Sequence, residues 1–206
     1  MKKWECTICG YIHEGDTPPD ECPVCGADSS AFVEVVEEAP EKTASAEIVP
    51  ESAPDPPKTT LIARATDLIL KFHLHPISVH TPNGVIPMIF IFLLIAGLLG
   101  APSFGHAAFY SLIFVLLNMP FVLYTGYITW QNKYKGAMTS VFKIKIGASL
   151  VSTGLLCILI IWRYSQPEIL ETGGLSAILF TLLGLVLLGT VGIAGHLGGK
   201  LVFGKD

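Results

Sequence analysis

The sequence predicts two folds in one chain: a small metal-stapled β domain at the N-terminus, then an all-α transmembrane four-helix bundle. Three observations predict them. Two Cys-x-x-Cys-Gly loops fall within the first 26 residues, four apolar runs approach or exceed the length of a bilayer, and a proline- and acid-rich stretch lies between. Composition agrees. Of 206 residues 51% are hydrophobic and 15% charged, with a mean hydropathy of +0.58, whereas a soluble domain is about a quarter charged. Much of the chain must avoid water.

The charge is regional. Residues 1–60 hold 13 of the 17 acids against Lys2, Lys3, Lys42 and Lys58, a net −9, and the remainder carries +5. Phosphates would repel such a head, so nucleic acid is not an expected partner. Four of the five cysteines are Cys6, Cys9, Cys22 and Cys25. The opening MKKWECT shows no apolar stretch of the kind a secretory leader carries, which places the head in a reducing compartment. Clustered cysteines there are expected to bind metal rather than to form disulfides.

Residues 1–36 are rich in turn formers and too few to fold on an apolar core alone, and a metal is the usual remedy. In Cys6-Thr-Ile-Cys9-Gly10 and Cys22-Pro-Val-Cys25-Gly26 the two intervening residues let both sulfurs reach one tetrahedral ion. The glycine after each pair supplies a positive φ, so that backbone N–H groups can turn toward the sulfurs. A structural zinc ribbon uses the same spacing, so the ligands Cys6, Cys9, Cys22 and Cys25 leave the metal open.

The flanking residues narrow it. Trp4-x-Cys6-x-x-Cys9-Gly10-Tyr11, then Gly15-Asp16-x-Pro18-Pro19, Cys22-Pro23-x-Cys25-Gly26-Ala27 and Phe32 resemble rubredoxin, with the short inter-knuckle spacing of the domain that ends rubrerythrins. The resemblance covers about residues 3–36. It implies a small β fold, an aromatic core of Trp4, Tyr11 and Phe32, and one iron cycling between ferric and ferrous. With no open coordination position, such a centre carries electrons rather than acting as an enzyme on a substrate of its own.

Residues 37–60 contain five prolines, six acids and no aromatic residue, the composition of a disordered, extended linker. Its 24 residues would span about 25–30 Å. From Leu61, apolar residues recur at helical spacing through Ile62, Ala65, Leu68, Ile69 and Phe72, with Arg64, Asp67, Lys71 and His75 opposite. This predicts an amphipathic helix lying at a membrane surface. Spans are predicted at about 82–101, 107–130, 144–162 and 174–197, with Trp130 and Trp162 at their ends.

Lys133, Lys135, Lys143 and Lys145 lie between the second and third spans, and Lys200 and Lys205 in the tail, whereas the opposite loops hold Arg163 alone. The positive-inside rule then places both termini in the cytoplasm of a multi-pass inner-membrane protein. The lysines also suggest a weak electrostatic dock for the acidic head.

His73, His75, His80 and His196 all fall at the cytoplasmic end of the predicted bundle. Two imidazoles at one depth are what an axial haem pair requires, and intramembrane ionisable residues are candidate functional groups. Histidines among headgroups, and glycine rows such as Gly189, Gly192 and Gly195 that serve helix packing, are the alternatives. His75-Pro-Ile-Ser-Val-His80-Thr-Pro82 and Gly195-His196-Leu-Gly-Gly resemble a family of uncharacterised bacterial four-helix membrane proteins, with Thr81 where the family commonly has phenylalanine. That resemblance singles out His75, His80 and His196 as cofactor ligands but lends no mechanism. His80 and His196 are the preferred pair for haem b, with quinone as the other candidate cofactor or redox partner. His13 and His106 read as structural, and Cys157 as an inert core residue.

The expected function is therefore membrane-bound electron transfer. The competing classes are a zinc-ribbon adaptor on a membrane anchor and a histidine-based transporter or sensor for a metal or solute. Self-association of the bundle is compatible with any of them.

Overall fold

A computed structural model describes residues 2–35 and 60–204. The linker predicted at 37–60 lies outside the described residues except for Thr60, as does Lys205.

The head is a three-stranded antiparallel sheet of β1 (Lys2–Cys6), β2 (Ile12–Gly15) and β3 (Phe32–Val35), in the order β2-β1-β3. The central strand β1 delivers Cys6 to the first knuckle. Register pairs Trp4 with His13 on one side and Glu34 on the other, and the Trp4 indole donates to the Gly15 carbonyl at 3.2 Å. Trp4 and Tyr11 are partly buried and Phe32 is buried, all three in one cluster with the cysteines. The aromatic core expected from the resemblance is present.

α1 (Leu61–Lys71) is capped by Thr60, whose hydroxyl accepts from the Ala63 N–H. Of its residues only Ile69 is buried, while Leu61, Ile62 and Leu68 leave their apolar side chains exposed. His73 then takes a left-handed φ of 52° and starts a new turn, α2 (Leu74–Ser78). His75 therefore does not continue the polar face of the amphipathic helix, as the periodicity suggested. The break at His73 re-aims it into the bundle.

The bundle is α3 (His80–Leu99), α4 (Pro102–Lys133), α5 (Ser140–Ser165) and α6 (Gly174–Phe203). All four candidate spans are long and apolar enough to cross a membrane, the first running on from α2. α4, α5 and α6 run past the predicted ends toward the head, because residues there pack on the head and on one another. Packing joins α3 to α4 and α6, and α5 to the same two, in a four-cornered array. Its core holds Leu93, Leu112, Leu156, Phe180 and Leu187, each almost fully buried. Gly184 allows α6 to approach α3, since a Cβ there would stand 2.8 Å from Leu93 Cδ1. Ser152 donates to Thr190 at 2.8 Å between α5 and α6.

At the end away from the head, Ile169 and Leu170 of the α5–α6 loop plug the core. Arg163 is 4% exposed and pairs through Nη2 with Glu171 at 3.3 Å. Cys157 is half-buried on α5 rather than within the core as expected.

Candidate metal centre and its seat on the bundle

The knuckles are built by local backbone geometry. Gly10 and Gly26 adopt φ of 73° and 69°, and their N–H groups return to the carbonyls of Cys6 and Cys22 at 2.7 and 2.9 Å. These turns free the next amides for the sulfurs. The Tyr11 N–H donates to Cys9, those of Val24 and Cys25 to Cys22, and that of Ala27 to Cys25.

All four cysteines are buried, and their Sγ atoms lie within 4.8 Å of one another. Cys6 and Cys25, and likewise Cys9 and Cys22, are 3.7 Å apart. Sulfurs at the corners of a tetrahedron stand about 3.8 Å apart when metal–sulfur bonds are about 2.3 Å long. The donor set fits one metal ion. The thiols are electrostatically inequivalent without its charge: the hydrogen bond from Cys25 holds Cys9 down to about 5 against the effect of burial. Cys25, as the proton holder of that bond, is pushed up, and burial pushes Cys22 up. A cation removes this conflict by favouring the thiolate at all four.

The cluster does not end at the head. Tyr134, Val141, Phe142 and Leu201 of the bundle are buried in the same apolar cluster as the four cysteines, with Trp130 and Leu197 behind them. Thr139 Oγ1 donates to the Cys25 carbonyl, and Ser140 Oγ to Glu21 Oε1 at 3.2 Å. The loop making these contacts is held tight. Gly136 at φ 65° sends its N–H to the Trp130 carbonyl, and the Trp130 indole donates to the Ala137 carbonyl at 2.8 Å. Tyr134 packs on Phe142 with ring centroids 5.0 Å apart and donates its hydroxyl to the Leu201 carbonyl at 3.4 Å. Burial pushes its phenol up to about 12, with Cys9 and Cys25 adding to the shift.

Docking is therefore apolar and hydrogen-bonded. Among the described residues, none of Lys133, Lys135, Lys143 and Lys145 forms an ion pair with the head, which corrects the electrostatic dock suggested by the sequence. The physical reason is that a tight turn and a helix start present Thr139 to Phe142, not the lysines, to the knuckle.

The histidines are placed as follows. His75 turns inward: its Nδ1 is 3.4 Å from Thr125 Oγ1, and its ring lies over Gly126, where a Cβ would stand 2.9 Å from Cε1. Ser78 and Thr125, both buried, share a hydrogen bond of 3.2 Å beside it. Lys145 lies within electrostatic range of this ring and close to Gly198. His80 and His196 are exposed on α3 and α6. The three histidines do not gather into one group; among the described residues, the four cysteines are the only cluster of three or more such ligands.

Similarity to known proteins follows the same division. Residues 4–33 match the rubrerythrin, rubredoxin-like domain, and residues 71–206 match the predicted membrane protein family DUF2231. The chain belongs to the DUF2231 family. To that membrane domain it adds a rubredoxin-like head with four clustered cysteines. Over 38 residues the head is 55% identical to reverse rubrerythrin-1 of Clostridium acetobutylicum, covering 18% of this chain and 21% of that protein. It is 41% identical to the rubredoxin of Megasphaera elsdenii and 40% identical to rubredoxin-2 of Chlorobaculum tepidum. These two are covered over 98% and 100% of their length by only 17% of this chain, so the matching segment of the head is shorter than either. No solved structure matches the chain.

Sequence reasoning grouped the four cysteines and missed their seat. Thr139 before an amphiphilic run reads as a helix N-cap, and nothing in its neighbourhood signals a contact with Cys25.

Proposed function

We propose that this protein is a membrane-bound one-electron carrier whose head holds iron and exchanges electrons with a carrier at the near end of the bundle. The observation that carries this reading is the buried tetrahedral set of Cys6, Cys9, Cys22 and Cys25, packed against Tyr134, Phe142 and Leu201 of a membrane domain. Four thiolates complete the coordination of the ion, so substrate has no ligand position to enter. Iron in such a set supplies a one-electron couple, tuned by N–H groups aimed at the sulfurs and by burial. The chain's own contribution is to fix that cluster, dry, at the bundle end.

His75, His80 and His196 are the residues we assign to the second carrier, haem b or a quinone. A Cβ at Gly195 of α6 would stand 3.1 Å from Asn83 Oδ1 of α3, and His80 and His196 each lie within three residues of that close approach, which supports a similar depth for the two at about 1.5 Å rise per residue. The imidazoles of His80 and His196 would ligate a haem iron, which would supply a second one-electron couple, or one of them would donate to a quinone carbonyl. The spans contain no Asp or Glu, which argues against a cation transporter. Both termini are assigned to the cytoplasm by the lysine bias.

Protein purified from its native host tests the reading. One iron per chain is expected, with visible iron–thiolate bands that bleach on reduction, and a Soret band where haem is the second carrier. Stoichiometric zinc and a colourless head would replace the carrier with a zinc-ribbon adaptor. Reporter fusions at Asp206 and within residues 165–172 test the topology, with cytoplasmic activity expected from the first alone.

A further inference from the structure

We infer that the face of the metal centre carrying Cys25 and Gly26 is an intramolecular docking face. Its occupant is the chain's own bundle end, Tyr134 and Thr139 to Phe142 with Leu201. A separate soluble protein is excluded from it.

Four observations converge on this. Thr139 is the N-cap of α5, yet its side chain caps nothing in the helix. N-cap threonines ordinarily accept an N–H of their own first turn; this hydroxyl is diverted to the carbonyl of a metal ligand. Next to it, Ser140 donates to Glu21. Gly26 sits so close beneath the loop that a Cβ would stand 2.5 Å from Ser140 Oγ and 3.4 Å from Val141 Cγ2. Finally, Val141, Phe142, Tyr134 and Leu201 are buried in one apolar cluster with the four cysteines, separate from the cluster that forms the bundle core. Residues facing the cytosol on a free bundle would have no reason to be apolar and complementary to a knuckle.

A tether of the length connecting the two parts gives a millimolar effective concentration, so a modest interface keeps the head seated. The consequence is one of access. While the head is seated, a soluble protein can approach the metal only from the side away from Cys25 and Gly26. This inference rests on the metal-binding reading of the head but not on which metal fills it.

The test substitutes Val141 with aspartate in the metal-loaded full chain in nanodiscs. Val141 is the second residue of α5, where a carboxylate suits the helix dipole, so the bundle tolerates the change. The same carboxylate would be buried against an acidic head. Hydrogen exchange of residues 21–28 and 137–142 should rise by about tenfold or more. The rate at which an added reduced ferredoxin reduces an iron-loaded head should rise by a similar factor, with the visible spectrum unchanged. Unchanged exchange and an unchanged rate would overturn the dock. If V141D fails to load metal, T139V, which removes only the hydroxyl that donates to the Cys25 carbonyl, carries the test. A rise in exchange at residues 22–27 supports the dock, and none overturns it. A zinc-filled head that still responds to V141D keeps the dock and sinks the electron-carrier reading instead.

Discussion

The head and the bundle hold together for opposite reasons. In the head, 34 described residues bury only a handful of apolar side chains, and four sulfur atoms supply the organising interaction. In the bundle, stabilisation is spread over many apolar contacts on four helices, and no single atom organises it. The difference teaches where each part is vulnerable. A metal-stapled domain fails all at once, because ligand binding and folding are one equilibrium. A bundle loses stability in increments set by each contact.

Cys25→Ala should break the head outright. One ligand lost leaves three thiols unable to complete a tetrahedron, so the visible bands of the proposed iron centre should vanish and exchange protection of the head be lost, while helical circular dichroism of the membrane part persists. Loss of the helical signal as well would show that the two parts fold as one unit.

One liability of the bundle is Arg163, which is buried and whose Nη1 has no hydrogen-bond partner among the described residues. Glu171→Ala would remove the partner of Nη2 and leave an uncompensated buried charge. We expect a loss of about 3 kcal/mol, the low end for breaking a buried pair because the Glu171 side chain is 24% exposed. Denaturant unfolding in detergent reads it, with the head's visible spectrum unaffected.

Gly184→Val comes next. The new methyls would meet Leu93, and the overpacking should cost about 1–3 kcal/mol. The smallest effect expected is that of Ser152→Ala, which removes the hydrogen bond to Thr190. Interhelical bonds of this kind average about 0.6 kcal/mol in membranes. Thermal melts of the two variants side by side should preserve that order; an inverted order would mean that polar contacts, not packing, dominate this bundle.

Both folds were legible because their signals are local. A Cys-x-x-Cys-Gly loop is dictated by the reach of two thiolates around one ion, and a spanning helix by about 20 consecutive apolar residues. Each can be read within a window no longer than about one span. The contact between Thr139 and Cys25 joins positions 114 apart, and that between Ser140 and Glu21 joins positions 119 apart, with no periodicity to reveal either. Periodicity even misled at His75, assigned to a polar helix face until the left-handed turn at His73 redirected it.

By itself, then, the sequence determined the grouping of the four cysteines and the four spans, since backbone geometry and hydropathy act over neighbouring residues, while the aromatic core of the head came from the resemblance of its flanking residues to rubredoxin. Only the tertiary structure decided that the lysines of the α4–α5 connection do not hold the head and that Thr139, Ser140, Val141 and Phe142 do. It also decided that His75 rests on Gly126 while His80 and His196 are exposed. These choices depend on which surfaces remain unburied once the helices have packed. That is a property of the whole assembly, because a side chain's burial is set by neighbours that arrive from other elements.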